Sequence, residues 1–348
     1  VGQGDETPFY ESADYRDEIT RPAEIIGHAL GTQPAAPDRV IACFQTWAEQ
    51  SARVEVAEYA RSYEGRPLIR AVISTPENLA RLDAIKADIA RLADPRGLAP
   101  SEAERIIAQS PAIAWFGYSI HGNEVSGSDA SLAFGHHLIA SPDAVVKPLL
   151  ENTIVIIDPV MNPDGRRRTL NAIEELRAHV PNGNYASMER WRWPGGRGNH
   201  YLFDLNRDWL VGAHPETRGR WQEILDFHPQ LLIDAHEMGA LDTYLFSPKN
   251  APYNPSLPKA QEGWYNVFAA ALAAGFDRRG WAYYTREWSD GWFPGYTTTW
   301  GPINGAISFL YEQASTRGLS LRRPSGTEVS YRDSIHGHAV SSLINLAT

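Results

Sequence analysis

Residues 111–139, PAIAWFGYSIHGNEVSGSDASLAFGHHLI, change hydrophobic period at their middle, and this constrains the fold more than any other stretch. Ala112 to Ile120 is apolar or aromatic without helical spacing, the pattern of a strand buried on both faces of a parallel sheet. From Val125 onward, Leu132, Phe134 and Leu138 stand among small residues and predict a packed helix. His121 and Glu124 fall at the joint between the two. A residue just beyond the carboxyl end of a central strand occupies the usual ligand position of an open α/β sheet. There, an imidazole and a carboxylate separated by two residues can turn toward one divalent cation.

Similar alternation recurs along the chain. Val54 to Ala60 and Leu68 to Ser74 predict an edge hairpin around the turn SYEGRPL. Asn152 to Asp158 (NTIVIID) reads as a buried strand that NPDG, at 162–165, ends in a turn. Leu231 to Ile233 is a short strand delivering Asp234, His236 and Glu237, and Gly305 to Tyr311 (GAISFLY) is another with Glu312 at its exit. Apolar spacings of three and four predict a helix capped by Asp38, with Val40, Phe44 and Trp47 on its inner face, and one unbroken helix from Pro76 to Asp94. Further helices are expected at Ala103 to Gln109, Lys259 to Arg279 and Arg332 to Leu346. Asn171 to Trp209 and Trp281 to Pro302 read as long loops, with Arg166 to Arg168 a solvated run. Strands alternating with helices imply an α/β fold with a mixed, mostly parallel sheet between helices. Residues 1–37, rich in charge, Gly and Pro, read as an extended N-terminal arm, and 38–348 as a single domain.

Composition narrows the chemistry. A formal charge of −10 gives no support for binding nucleic acid or an anionic membrane. Cys43 is the only cysteine, so disulfides within the chain are excluded and any zinc must rest on histidine and carboxylate ligands. No stretch approaches a membrane span. His136, His137, His336 and His338 lie on expected helices and read as core or surface residues.

Taken in order, His121 with Glu124 in HGNE, then NPDG, then Asn206-Arg207 in DLNRDW, then His236, then Glu312 resemble the zinc carboxypeptidases of the funnelin family. The resemblance implies a mixed sheet of eight-stranded type and one zinc ion held by His121, Glu124 and His236. Glu312 would be the general base. Asn206 and Arg207 would hold the substrate's terminal carboxylate, because a guanidinium matches a carboxylate in a bidentate way. In the Trp191-Arg192 step, Arg192 would stabilise the oxyanion, with Arg190 and Arg197 on the same loop, and Tyr296 is the candidate for the family's mobile capping tyrosine. The implied substrate is a peptide or small amide with a free carboxylate, and the implied location is secreted or periplasmic. Two alternatives keep the scaffold: a cell-wall muropeptide peptidase and an N-acyl amino acid deacylase. A third, of another class, is a binding module whose surface is Trp191, Trp193, Trp288, Trp292 and Trp300.

Overall fold

The sheet that carries the chain is built from period-two strands. A computed structural model describes residues 8–10, 14–177, 180, 182–184, 193–316 and 318–348. Its strands are β1 (Val54–Arg61), β2 (Pro67–Ile73), β3 (Ala112–Tyr118), β4 (Thr153–Asp158), β5 (Leu231–Met238), β6 (Tyr244–Phe246), β7 (Asn250–Tyr253), β8 (Asp290–Gly291) and β9 (Ile307–Ala314). Two short strands, Ser320–Arg322 and Glu328–Ser330, form a separate antiparallel pair. The main sheet has the order β1-β2-β4-β3-β5-β9-β6, which is seven strands among the described residues rather than eight. The four central strands, β4, β3, β5 and β9, run parallel. The flanking pairings are antiparallel, including the β1–β2 edge hairpin.

Successive residues of the central strands face opposite layers. Phe116, Ile157, Ile233 and Phe309 pack in one core cluster, and Trp115, Ile156 and Leu232 in the other. This explains why the strands read as unbroken apolar runs. The helices are α1 (Pro22–Ile26), α2 (Pro37–Gln50), α3 (Pro76–Ala80), α4 (Leu82–Ala93), α5 (Pro100–Gln109), α6 (Ser126–Ala140) and α7 (Asp143–Leu150). They continue with α8 (Pro163–Leu176), α9 (Pro215–Phe227), α10 (Gln261–Asp277), α11 (Thr297–Ile303) and α12 (Tyr331–Ala347). The first cluster takes residues of α2, α6 and α10, and the second takes residues of α4 and α9.

Several expectations are corrected. Asp38 lies in the first turn of α2, whose cap position is Ala36 and whose first residue is Pro37. The expected helix over Pro76 to Asp94 is two helices broken at Arg81, the first capped by the Thr75 side chain. NPDG does not simply end a strand: Asn162 caps α8 by accepting from the backbone N–H of Gly165, and the helix runs on to Leu176. Arg166 is therefore buried, ion-paired to Asp129 at 2.9 Å, rather than solvated. YTTTWGPIN, read as loop, contains α11. In the N-terminal arm, Ile19 and Ile26 join the main core and Trp47 Nε1 donates to the carbonyl of Thr20 at 2.8 Å. No helix among the described residues is long and apolar enough to cross a membrane.

Candidate metal centre and substrate cleft

β3 stops at Tyr118 because Ser119 takes a left-handed backbone conformation (φ 60°), which turns the chain out of the sheet. His121 and Glu124 follow on the turn into α6, closed by the Glu124 N–H donating to the His121 carbonyl at 3.1 Å. Gly122 between them is required by close approach, since a Cβ there would lie 2.0 Å from the backbone nitrogen of Arg166. The helix that NPDG begins thus packs directly on the HGNE turn. On the next strand, β5 brings His236 directly opposite Glu312 of β9 in parallel register.

His121, Glu124 and His236 converge, with one ligand atom from each lying within 4.8 Å of the others. Nδ1 of His121 is 2.7 Å from one Glu124 oxygen, and Nδ1 of His236 is 2.8 Å from the other. Each Nε2 faces outward and donates to a carboxylate at 2.8 Å, Asp204 for His121 and Asp234 for His236. This is the pattern of metal-binding histidines, whose far nitrogen is fixed by a carboxylate so that the near lone pair is free to coordinate. Two nitrogens and a carboxylate around one point suit zinc.

The electrostatics follow from this packing. Burial opposes ionisation of Glu124, yet His121 and His236 hold its carboxyl well below the usual range. Burial likewise opposes charge on His236, but Asp234 and Glu124 raise it well above an ordinary histidine. Glu312, nine-tenths buried, is pushed up to about 8 by desolvation, with His236 pulling the other way and Glu124 and Asp234 adding to the rise. One of its oxygens has no hydrogen-bond partner among the described residues. A carboxyl group is thus left available beside the triad.

The other expected residues gather at the same cleft, with differences. Asn206 sits in a single 3-10 turn, Leu205–Arg207. It donates through Nδ2 to Asp234 at 3.2 Å and accepts from the N–H and hydroxyl of Thr297, both at 2.9 Å. The Arg207 guanidinium lies 4.6 Å from the ring centroid of Tyr296. Arg190, Trp191 and Arg192 lie outside the described residues. Arg197 does reach the triad: Nη1 donates to Glu124 at 3.4 Å and Nε to Asp204 at 3.1 Å. Asp204 escaped the sequence reading, although its place two residues before Asn206 in DLNR was a usable signal. Glu237 points away from the triad, accepting from the Ser126 N–H at 2.7 Å. Of the tryptophans offered as a binding surface, Trp193, Trp288 and Trp292 are exposed, but Trp300 is buried and stacked on Trp221.

Comparison with known proteins agrees with the geometry. Among curated proteins no relative matches by sequence. A metallo-carboxypeptidase from Burkholderia cenocepacia superposes with a TM-score of 0.60 at 18% identity, covering 90% of this chain and 69% of that one. Carboxypeptidase A from Helicoverpa armigera superposes with a TM-score of 0.59 at 17% identity, covering 94% and 80%. A metallo-carboxypeptidase from Pseudomonas aeruginosa, solved with (2-guanidinoethylmercapto)succinic acid, gives 0.58 at 18% identity, covering 90% and 69%. At these identities the likeness establishes the shared fold. The family profile described as zinc carboxypeptidase matches residues 41–228, the span that contains His121, Glu124, NPDG and the Asn206-Arg207 pair. More than half the sequence thus carries the family's pattern on the family's fold, and the chain belongs to the zinc carboxypeptidases.

Proposed function

We propose that the protein removes single C-terminal residues from peptides, with one zinc ion held by His121, Glu124 and His236. The observation that carries this reading is the convergence of those three side chains, with Glu312 in register with His236. When bound, zinc supplies a Lewis acid that acidifies a water molecule and polarises the scissile carbonyl. Asp204 and Asp234 keep His121 and His236 in the tautomer whose Nδ1 lone pair faces the metal. Glu312 takes the proton from the attacking water at its unpartnered oxygen and passes it to the leaving amide nitrogen.

Arg207 anchors the terminal carboxylate and so selects chain ends, with Tyr296 stacked against its guanidinium. Asn206 assists beside it, its amide nitrogen held between Asp234 at 3.2 Å and His236 Nε2 at 3.0 Å. Arg197 serves as the oxyanion donor, a role supported by its contact with Glu124. Its half-exposed guanidinium is anchored by Asp204 and can hold a developing negative charge at the triad.

The test is mass spectrometry of a mixed set of peptides, muropeptides and N-acyl amino acids incubated with the protein, with and without a zinc chelator. Chelator-sensitive loss of single C-terminal residues is expected. Cleavage confined to muropeptides or to N-acyl amino acids would replace this reading with the corresponding alternative.

A further inference from the structure

We infer that Lys249 forms the floor of the pocket for the side chain of the substrate's last residue, and that the residue preferred there is acidic. The inference rests on the carboxypeptidase reading and names its substrate class. Lys249 lies three residues after β6, in which Leu245 is paired with the proposed base Glu312. The loop that carries it therefore runs beside the reaction centre. Its ammonium is buried, 4% exposed, and donates to the carbonyl of Thr298 in the first turn of α11. The two residues before Thr298 are the ones that engage the carboxylate anchors: Thr297 holds Asn206, and Tyr296 stacks on Arg207. A single short segment, 296–298, thus has the carboxylate anchors against its first two residues and a buried cation against its third.

This cation lacks a counter-ion. Thr298 is its one hydrogen-bond acceptor among the described residues, where no carboxylate comes within 4.0 Å of it. Burial draws the ammonium down to about 7 against the weaker attraction of Asp290. An isolated buried charge is unfavourable, and a carboxylate brought beside it offsets that cost. Ser247, also buried, lines a small cleft with Lys249, Ser289 and Leu310, and its hydroxyl has no partner among the described residues. The acid on this cleft, Glu287, is exposed at its rim. A peptide ending in glutamate or aspartate presents two carboxylates, and the two cations held against segment 296–298 can meet them: Arg207, stacked on Tyr296, for the main-chain group, and Lys249, bonded to Thr298, with the Ser247 hydroxyl, for the side chain.

The test compares the zinc-loaded protein on N-acyl dipeptides that differ only in ending in Glu or in Gln, which match in shape and differ in charge. The expected kcat/KM ratio favours Glu by about 10- to 100-fold. Lys249→Met should bring that ratio to about one, and Lys249→Arg, which keeps the charge, should restore much of it. A ratio near one in the unmodified protein, or a ratio unchanged in Lys249→Met, would overturn the inference. Calorimetric binding of both dipeptides to the Glu312→Gln variant separates this question from turnover. If neither dipeptide is hydrolysed but Glu binds more tightly in a Lys249-dependent way, the pocket assignment stands and the carboxypeptidase reading fails. Equal binding of the two sinks the assignment whatever the activity.

Discussion

His236 and His136 are equally buried, each 3% exposed, yet their surroundings drive them in opposite directions. His236 sits between the carboxylates of Glu124 and Asp234, which raise its pKa well above the ordinary value despite burial. His136 and its neighbour His137, on α6, face aromatic rings of the N-terminal arm and of α2, and burial lowers both to about 4. His338 on α12 is lowered further, to about 3, and neither of its ring nitrogens has a hydrogen-bond partner among the described residues. The lesson is that burial alone makes a histidine a neutral packing residue. A carboxylate on the outer nitrogen, with a second carboxylate beside the inner one, instead holds it as a polar group aimed at the site.

The comparison is broken most severely by removing a ligand. His121→Ala or His236→Ala is expected to lower hydrolysis by about 10,000-fold or more, because the Lewis acid is lost with its site. His136→Gln, by contrast, should leave turnover of the folded enzyme within a small factor of the original. Steady-state kinetics at saturating zinc read both. Next in size is Glu312→Gln, which is expected to lose about 100- to 10,000-fold in kcat while keeping the metal. Near-normal turnover in that variant would remove Glu312 from the role of base. Smaller again, Asp234→Asn weakens the hold on His236 Nε2 and should cost about 10- to 100-fold in zinc affinity, measured by competition with a chromogenic chelator.

The packing histidines predict a pH effect of their own. Because His136 and His137 have folded pKa values near 4 against about 6.5 in the unfolded chain, the unfolded state binds more protons between those limits. Stability should therefore fall as pH drops from about 6.5 toward 4, by up to about 3 kcal/mol per histidine. Thermal melts in the presence of chelator isolate this from metal release, and a His136→Leu, His137→Leu double variant should show a flatter dependence over that window. An identical dependence in the double variant would count against burial as the cause.

What was legible in the sequence follows a physical rule. His121, Glu124, His236 and Glu312 could be found because strand ends and an HxxE spacing are local features that the fold carries to one point. The apolar runs of β3, β4 and β5 were legible because both of their faces are buried. Arg166 was misread because its partner Asp129 lies 37 residues away, and a run of three arginines looks solvated without it. NPDG carries turn chemistry that also serves as a helix start, with Asn at the cap and Pro in the first turn, so α8 was missed. α11 was hidden by three threonines and an internal proline, which give no helical signal. The approach of Arg197 to Glu124 gave no signal, because spacing alone does not say which loop arginine reaches the triad. Lys249 gave no signal at all, because nothing local tells a lysine that it will be buried.

The most direct test of the central claim is the zinc content of the purified protein after dialysis against zinc and then against metal-free buffer, measured by mass spectrometry of the metal. One zinc per chain is predicted for the unmodified protein, Glu312→Gln and His136→Gln, and none for His236→Ala. Stoichiometric zinc retained by His236→Ala would contradict the account, because the metal would then be bound somewhere other than the His121, Glu124 and His236 centre.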